Sequence, residues 1–241
     1  MTELTYQKDS YLREADAVIT RVEGANVFLN RTIFHPRTGG LDHDIGKLIK
    51  HDGEALDVVA VYLDKATGDV AHEVTPPEHG LRVGEVVTCV LNWERRYRLM
   101  RLHTASHILA AIMWRDHGAL ITGGHITPEK AYDDYSLQTT DKTIFEEAIT
   151  KANEVIKKAL PVKIYWLPRE EALKIPGIIK LAGRTPPPDV KELRIVEIPG
   201  IDIQADGGPH VKNTSEIGEI KLLKITNKGK QRKRIYFTVT P

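Results

Sequence analysis

The spacing of apolar residues changes near Asn92, and that change limits the architectures open to the chain. Before it, short runs such as Val27-Phe-Leu29, 56–63 and 86–91 are separated by Gly, Asp and Pro turns, the pattern of short antiparallel strands. After it, Leu102, Ala105, Leu109, Ile112 and Met113 recur at helical spacing, with His103, His107, Ala110 and Trp114 as a stripe beside them. Asn92 suits an N-cap and Glu94 the first turn. The fold class expected is α+β. A small β-barrel-like domain occupies 1–92, and 93–241 forms a domain in which helices pack on an antiparallel sheet.

Within that second domain a further helix is expected over 143–160. Phe145, Ala148, Ala152, Val155, Ile156 and Ala159 lie on one face, and Glu147 reaches Lys151 across a turn. A short helix follows over 168–174, and strands over 193–198, 220–225 and 234–239 supply the sheet. The Thr185-Pro-Pro-Pro188 run reads as an extended surface loop.

Composition removes several function classes. Hydrophobic residues make up 41% and charged residues 28%, the balance of a soluble globular protein. Charges interrupt every apolar run from Met1 to Arg21, so neither a secretory signal nor a membrane span is expected, and the location expected is the cytoplasm. A formal net charge of +1 means that nucleic acid would have to be held by a local patch. Cys89 is the single cysteine; its apolar surroundings assign it to strand packing rather than to reactivity.

His103 and His107 are four residues apart, so on a helix both imidazoles can address one ion. A third ligand must come from elsewhere. His210 qualifies because Gly207 and Gly208, free to adopt positive φ, allow a tight turn before it. Asp206 offers an oxygen ligand or an acceptor for an imidazole N–H. The other reading of the pair is two satisfied core or surface histidines.

These motifs resemble the alanyl-tRNA editing proteins called AlaX and the homologous editing domain of alanyl-tRNA synthetase. The family signature is His-x-x-x-His with a later Cys-x-x-x-His, usually Cys-Gly-Gly-Thr-His; it aligns with His103, His107, Asp206 and His210, and the match runs on through Val211 and Thr214 to Glu216-Ile217-Gly218. The family's glycine-rich motif is similar to 29–46, with Thr32, Phe34, Pro36, Gly39, Gly40, Asp44 and Gly46 in register. The resemblance covers nearly the whole chain and points to the medium-sized class. Three positions depart from the pattern: Asp206 stands for Cys, Pro209 for Thr, and Leu41 for the Gln that commonly ends the glycine motif.

The resemblance implies a zinc-dependent hydrolase that cleaves the ester of Ser-tRNA(Ala) or Gly-tRNA(Ala). Zinc would be held by His103, His107 and His210, with Asp206 as fourth ligand or as acceptor. His103, His107 and Thr32 would be the catalytic residues, Thr32 reading the serine hydroxyl. Gly39, Gly40, Gly207 and Gly208 would line the substrate. The partner implied is the acceptor end of tRNA(Ala), with no DNA and no membrane. A β-branched residue in strand packing is the other reading of Thr32.

Lys228, Lys230, Arg232, Lys233 and Arg234, after Lys221 and Lys224, form a basic run suited to phosphates or to a solvated hairpin. Arg95, Arg96, Arg98 and Arg101 are a second candidate patch. Two other functions compete: a non-catalytic tRNA-binding module, and a zinc hydrolase of small molecules, which lacks support because the chain has no His-Glu-x-x-His.

Overall fold

Alternation of buried and exposed residues closes the first strands on themselves. In the computed structural model, which describes residues 1–180 and 190–240, six antiparallel strands form a closed barrel. Their order is Glu14–Glu23, Asn26–Leu29, Val70–Thr75, Ala55–Leu63, Gly46–Ile49 and Val86–Leu91. Along the last of these, Val87, Cys89 and Leu91 turn inward and join Ile19, Val27, Leu48, Val58 and Val74 in the core. Closure leaves no free edge for strand pairing. Burial pushes the Cys89 thiol up to about 12, so it packs and does not react.

Two compact units, Met1–Leu99 and Met100–Pro241, divide the chain. The division falls inside the helix Trp93–His117 rather than at its start. Asn92 caps that helix, its Oδ1 accepting the Arg95 amide at 3.0 Å. Arg95 then donates to Asp42 (2.6 Å) and Arg96 to the carbonyl of Ser10 (2.9 Å), which ties the opening turns to the barrel unit. From Leu99 to Met113 every residue is buried, so both stripes seen in the sequence lie inside, while Trp114 is 39% exposed. No helix among the described residues is long and apolar enough to cross a membrane.

The second unit contains two antiparallel sheets where the sequence suggested one. Glu219–Asn227, Lys233–Thr240, Ala131–Tyr135 and Ile121–Ile126 form a four-stranded sheet in that order; Lys163–Pro168, Glu192–Ile198 and Asp202–Ala205 form a three-stranded one. The strand anticipated over 193–198 therefore belongs to a different sheet from those over 220–225 and 234–239.

The helix Lys142–Lys157 starts at its cap Asp141 and buries Phe145, Ala148, Ile149, Ala152, Val155 and Ile156. Asn153 bonds the backbone of Ile220 in both directions, at 2.8 and 3.0 Å, which fixes this helix to the four-stranded sheet. It stops before Ala159, which takes φ +51° and is exposed instead of continuing the apolar face. Lys151 pairs with Asp116 at 2.8 Å rather than with Glu147. The short helix covers Arg169–Ala172. The Thr185-Pro-Pro-Pro188 run lies outside the described residues.

Candidate metal centre

Helical spacing and one turn bring three imidazoles together. His103 and His210 stack with ring centroids 4.1 Å apart, while His107 lies edge-on to both, at 5.0 Å from His103 and 4.5 Å from His210. Asp206 completes the group, with one ligand atom from each of the four residues lying within 4.8 Å of the others. Asp206 Oδ2 is 3.7 Å from His103 Nε2 and Oδ1 is 3.2 Å from His210 Nε2.

The hydrogen bonds decide which nitrogen of each ring is available. His103 Nδ1 lies 3.2 Å from the carbonyl of Pro209, which can only accept, so Nδ1 carries the proton. His107 Nδ1 lies 3.1 Å from Asp202 Oδ2, a carboxylate that likewise accepts. His210 Nδ1 is 3.0 Å from Thr104 Oγ1, whose own proton goes to the Met100 carbonyl at 2.9 Å, so Thr104 also accepts. His103 and His107 are thereby fixed as Nδ1–H tautomers with their Nε2 lone pairs directed into the cluster, the arrangement in which acceptors orient histidine ligands, while His210 has an acceptor at each nitrogen, Thr104 at Nδ1 and Asp206 at Nε2.

Burial and neighbouring charges act on the four groups in different directions. Burial pushes His103 down to about 4; burial and the adjacent His103 and His107 hold His210 well below the usual imidazole range. Burial also works against His107, but the hydrogen bond and charge of Asp202 outweigh it and raise its pKa. At Asp206 burial disfavours the charged form, yet His103, His210 and His107 prevail and hold the carboxyl well below its ordinary value. Imidazole nitrogens beside an ionised carboxylate are a donor set that fits zinc.

The turn before His210 is built differently from the expectation. Among the described residues, glycines with positive φ include Gly39 and Gly40 but not Gly207 or Gly208. Asp206 Oδ1 instead accepts the Gly208 amide at 2.7 Å. Arg194 Nη1 clamps the turn by donating to the carbonyls of Asp206 (2.8 Å) and Gly208 (3.0 Å).

Known proteins match this sequence over the whole chain. Residues 193–236 fit the family model described as the threonyl and alanyl tRNA synthetase second additional domain. The alanyl-tRNA editing protein AlaX-M of Saccharolobus solfataricus is 56% identical over 241 residues, 100% of both chains. The chain belongs to the alanyl-tRNA editing protein AlaX family. AlaX-M of Methanosarcina acetivorans is 41% identical over 245 residues, 99% of each chain. The alanine–tRNA ligase of Staphylothermus marinus is 38% identical over 229 residues, which are 92% of this chain and 24% of the ligase. Membership in AlaX is what the motifs at His103, His107 and 206–210 implied.

The AlaX glycine-rich segment lies in the first unit. Gly39 and Gly40, at φ +62° and +90°, occupy a tight turn closed by the Leu41 amide donating to Thr38 O at 2.9 Å. Consecutive left-handed residues of this kind need glycine. Leu41 is only 2% exposed and packs where a Gln would place a polar end. Thr32 is buried; its Oγ1 lies 2.7 Å from His72 Nε2 and accepts the Phe34 amide at 3.0 Å. His72 donates Nδ1–H to Val27 O at 2.9 Å, so its Nε2 accepts and Thr32 is the donor.

The basic run presents less charge than its sequence suggests. Lys228, Lys230 and Arg232 are exposed, but Lys233 is buried, its Nζ donating to the carbonyls of Gly229 (2.7 Å) and Lys230 (3.1 Å). Arg234 is bidentate to Asp134, at 2.7 and 2.9 Å. The second patch is structural in part. Arg96 is fully buried, and Arg101 donates to the carbonyl of Ile217 at 2.7 Å. Sequence reasoning missed Thr104, Lys180, Arg194 and Asp202, which hold the histidines and the turn from outside the cluster.

Proposed function

We propose that this chain is a trans-editing hydrolase that deacylates Ser-tRNA(Ala) and Gly-tRNA(Ala) in the cytoplasm, with zinc held by His103, His107, His210 and Asp206. The observation that carries the reading is the convergence of three imidazoles, each with an acceptor at Nδ1, and the Asp206 carboxylate in a member of the AlaX family. Zinc bound there supplies Lewis-acid chemistry suited to ester hydrolysis. As ligands the imidazoles would donate Nδ1–H to the Pro209 carbonyl, Asp202 and Thr104, and Asp206 would contribute the negative charge.

A second hydrolytic sieve answers a physical need, since a synthetase pocket discriminates weakly among small side chains. The test is deacylation of Ser-, Gly- and Ala-tRNA(Ala) by the purified protein. Cleavage of the serylated species with Ala-tRNA(Ala) spared is the expected result. Equal rates on both would end the proposal, and binding without turnover would identify a tRNA-binding module instead.

In this reading Thr32 discriminates serine. Its proton is committed to His72 and one lone pair to Phe34 N–H, which leaves the other lone pair to accept from a serine hydroxyl. Thr32→Val is expected to lower the Ser/Gly ratio of kcat/KM by about tenfold, the value of one such hydrogen bond. Because the ratio cancels any loss of folded protein, an unchanged ratio would remove Thr32 from this role.

Gly39, Gly40, Gly207 and Gly208 belong to the same proposal as backbone that lets the aminoacyl end approach closely. For tRNA, the exposed Lys228, Lys230 and Arg232 are the phosphate contacts proposed. Replacing all three by Ala is expected to weaken tRNA binding and to reduce the slope of log K against log salt by about 2. A slope equal to that of the unaltered protein would locate the contacts elsewhere.

A further inference from the structure

A buried charge sits behind the candidate metal centre, and the ester chemistry proposed above leaves it unused. Lys180 is 3% exposed and Asp202 5% exposed, and Lys180 Nζ lies 2.7 Å from Asp202 Oδ1. This contact is a buried ion pair. The ammonium group also donates to the carbonyls of Gly177 (2.8 Å) and Ile203 (3.1 Å). On the opposite side of the carboxylate, Oδ2 accepts from His107 Nδ1 at 3.1 Å and from Gln204 Nε2 at 2.9 Å.

Stability alone gives little reason for such a pair, since a buried ion pair is often matched or exceeded by apolar residues of the same volume. What the pair does provide is direction: it presents a full acceptor to His107 on one side and anchors that acceptor on the other. We propose that Lys180 and Asp202 are positioning residues that fix His107 as the Nδ1–H tautomer and thereby aim its Nε2 lone pair at the metal. The inference rests on the reading of His103, His107, His210 and Asp206 as a zinc site.

The amide of an Asp202→Asn variant has one acceptor end and one donor end. Lys180, carrying a full charge, attracts the oxygen to its own side against the neutral Gln204 amide, so the NH2 group turns toward His107 and requires Nδ1 to accept. His107 then carries its proton on Nε2 and cannot ligate through it. An Asp-to-Asn change that imposes the wrong histidine tautomer is the known consequence of such a swap beside a functional imidazole. Removing the Lys180 charge as well frees the amide to rotate, so that its oxygen again accepts from His107.

The test measures zinc affinity by competition with a chromophoric chelator for the intact protein, Asp202→Asn, Lys180→Met and the double variant. Asp202→Asn is expected to bind zinc about 10- to 100-fold more weakly. Lys180→Met, which keeps the carboxylate, should lose only a few-fold, and the double variant should recover most of the affinity that Asp202→Asn loses. Affinity unchanged in Asp202→Asn, or a double variant no better than Asp202→Asn, would overturn the proposal.

A second measurement needs no substitution. Nitrogen-15 NMR of the imidazoles in the unaltered, zinc-free protein at pH 9 is expected to show His107 protonated on Nδ1, and protonation on Nε2 would overturn the proposal. If the unaltered protein takes up no zinc, the metal reading fails, while the tautomer of His107 still decides whether Lys180 and Asp202 position it.

Discussion

His107→Ala is expected to lower kcat/KM for Ser-tRNA(Ala) deacylation by about a thousandfold or more while leaving tRNA affinity within a few-fold. A metal ion contributes several kcal/mol to such a reaction, and each 1.36 kcal/mol is a factor of ten in rate, so loss of about 4 kcal/mol gives that size of effect. His107→Ala removes one of the three nitrogens and leaves His210, Asp206 and a His103 held at Nδ1 by a backbone carbonyl 3.2 Å away. The exposed Lys228, Lys230 and Arg232 are unaffected, so binding and turnover should separate.

Asp206→Ala belongs to the same series and should cost less, about 10- to 100-fold, because all three ring nitrogens remain. Steady-state deacylation with zinc content measured on the same samples checks both variants. More than a tenth of the unaltered activity in zinc-depleted His107→Ala would remove the cluster from the chemistry.

The cluster was legible in the sequence because its members obey local rules. Helical spacing puts His103 and His107 on one face, and the Asp206-Gly-Gly-Pro-His210 turn is short enough to read as a unit. Its supports were not legible. Asp202 and Lys180 lie on different segments with no spacing rule between them, and the same is true of Thr104 and His210, which meet at 3.0 Å only because the fold brings them together.

Lys233 is a different case, since a signal existed. It shares a strand face with Ile235, Phe237 and Val239, all buried in strict alternation, so its parity placed it inside although its charge suggested otherwise.

Two of the strands that escaped the sequence reading carry residues with low strand preference. Ile121–Ile126 contains Gly123 and Gly124, and Ala131–Tyr135 contains Asp133 and Asp134. The pairing explains the composition: a Cβ at Gly123 would lie 3.2 Å from Asp134 Oδ2, and one at Gly124 would lie 3.1 Å from Asp133 Oδ1. The glycines make room for cross-strand carboxylates, which propensity read along one strand cannot reveal. Asp133, accepting from Ser106 at 2.9 Å and Tyr135 at 3.2 Å, is pushed up to about 7 by burial. The room is therefore made for a carboxyl group that the interior holds close to neutrality.

Arg96→Met should destabilise the barrel unit by about 3–5 kcal/mol, the cost of leaving a buried charge without its partner. Arg96 is fully buried and Asp44 is 1% exposed; Arg96 Nε lies 3.1 Å from both carboxylate oxygens. Asp44 also accepts the His35 amide at 2.6 Å, so the carboxylate cannot turn away to water when the guanidinium is removed. Arg96 further satisfies the carbonyls of Ser10 (2.9 Å) and Ile33 (2.6 Å), and these lose their donor in the same step.

The double variant Arg96→Met with Asp44→Asn separates the two costs. It removes the orphaned charge but not the orphaned carbonyls, so it should recover part of the loss and the two substitutions should be non-additive by about 1–3 kcal/mol. Urea unfolding followed by circular dichroism and by tryptophan fluorescence measures both. A loss below about 1 kcal/mol for Arg96→Met would mean that water reaches Asp44, and the pair would then be an ordinary surface contact rather than the anchor that joins the opening turns of the helix to the barrel unit.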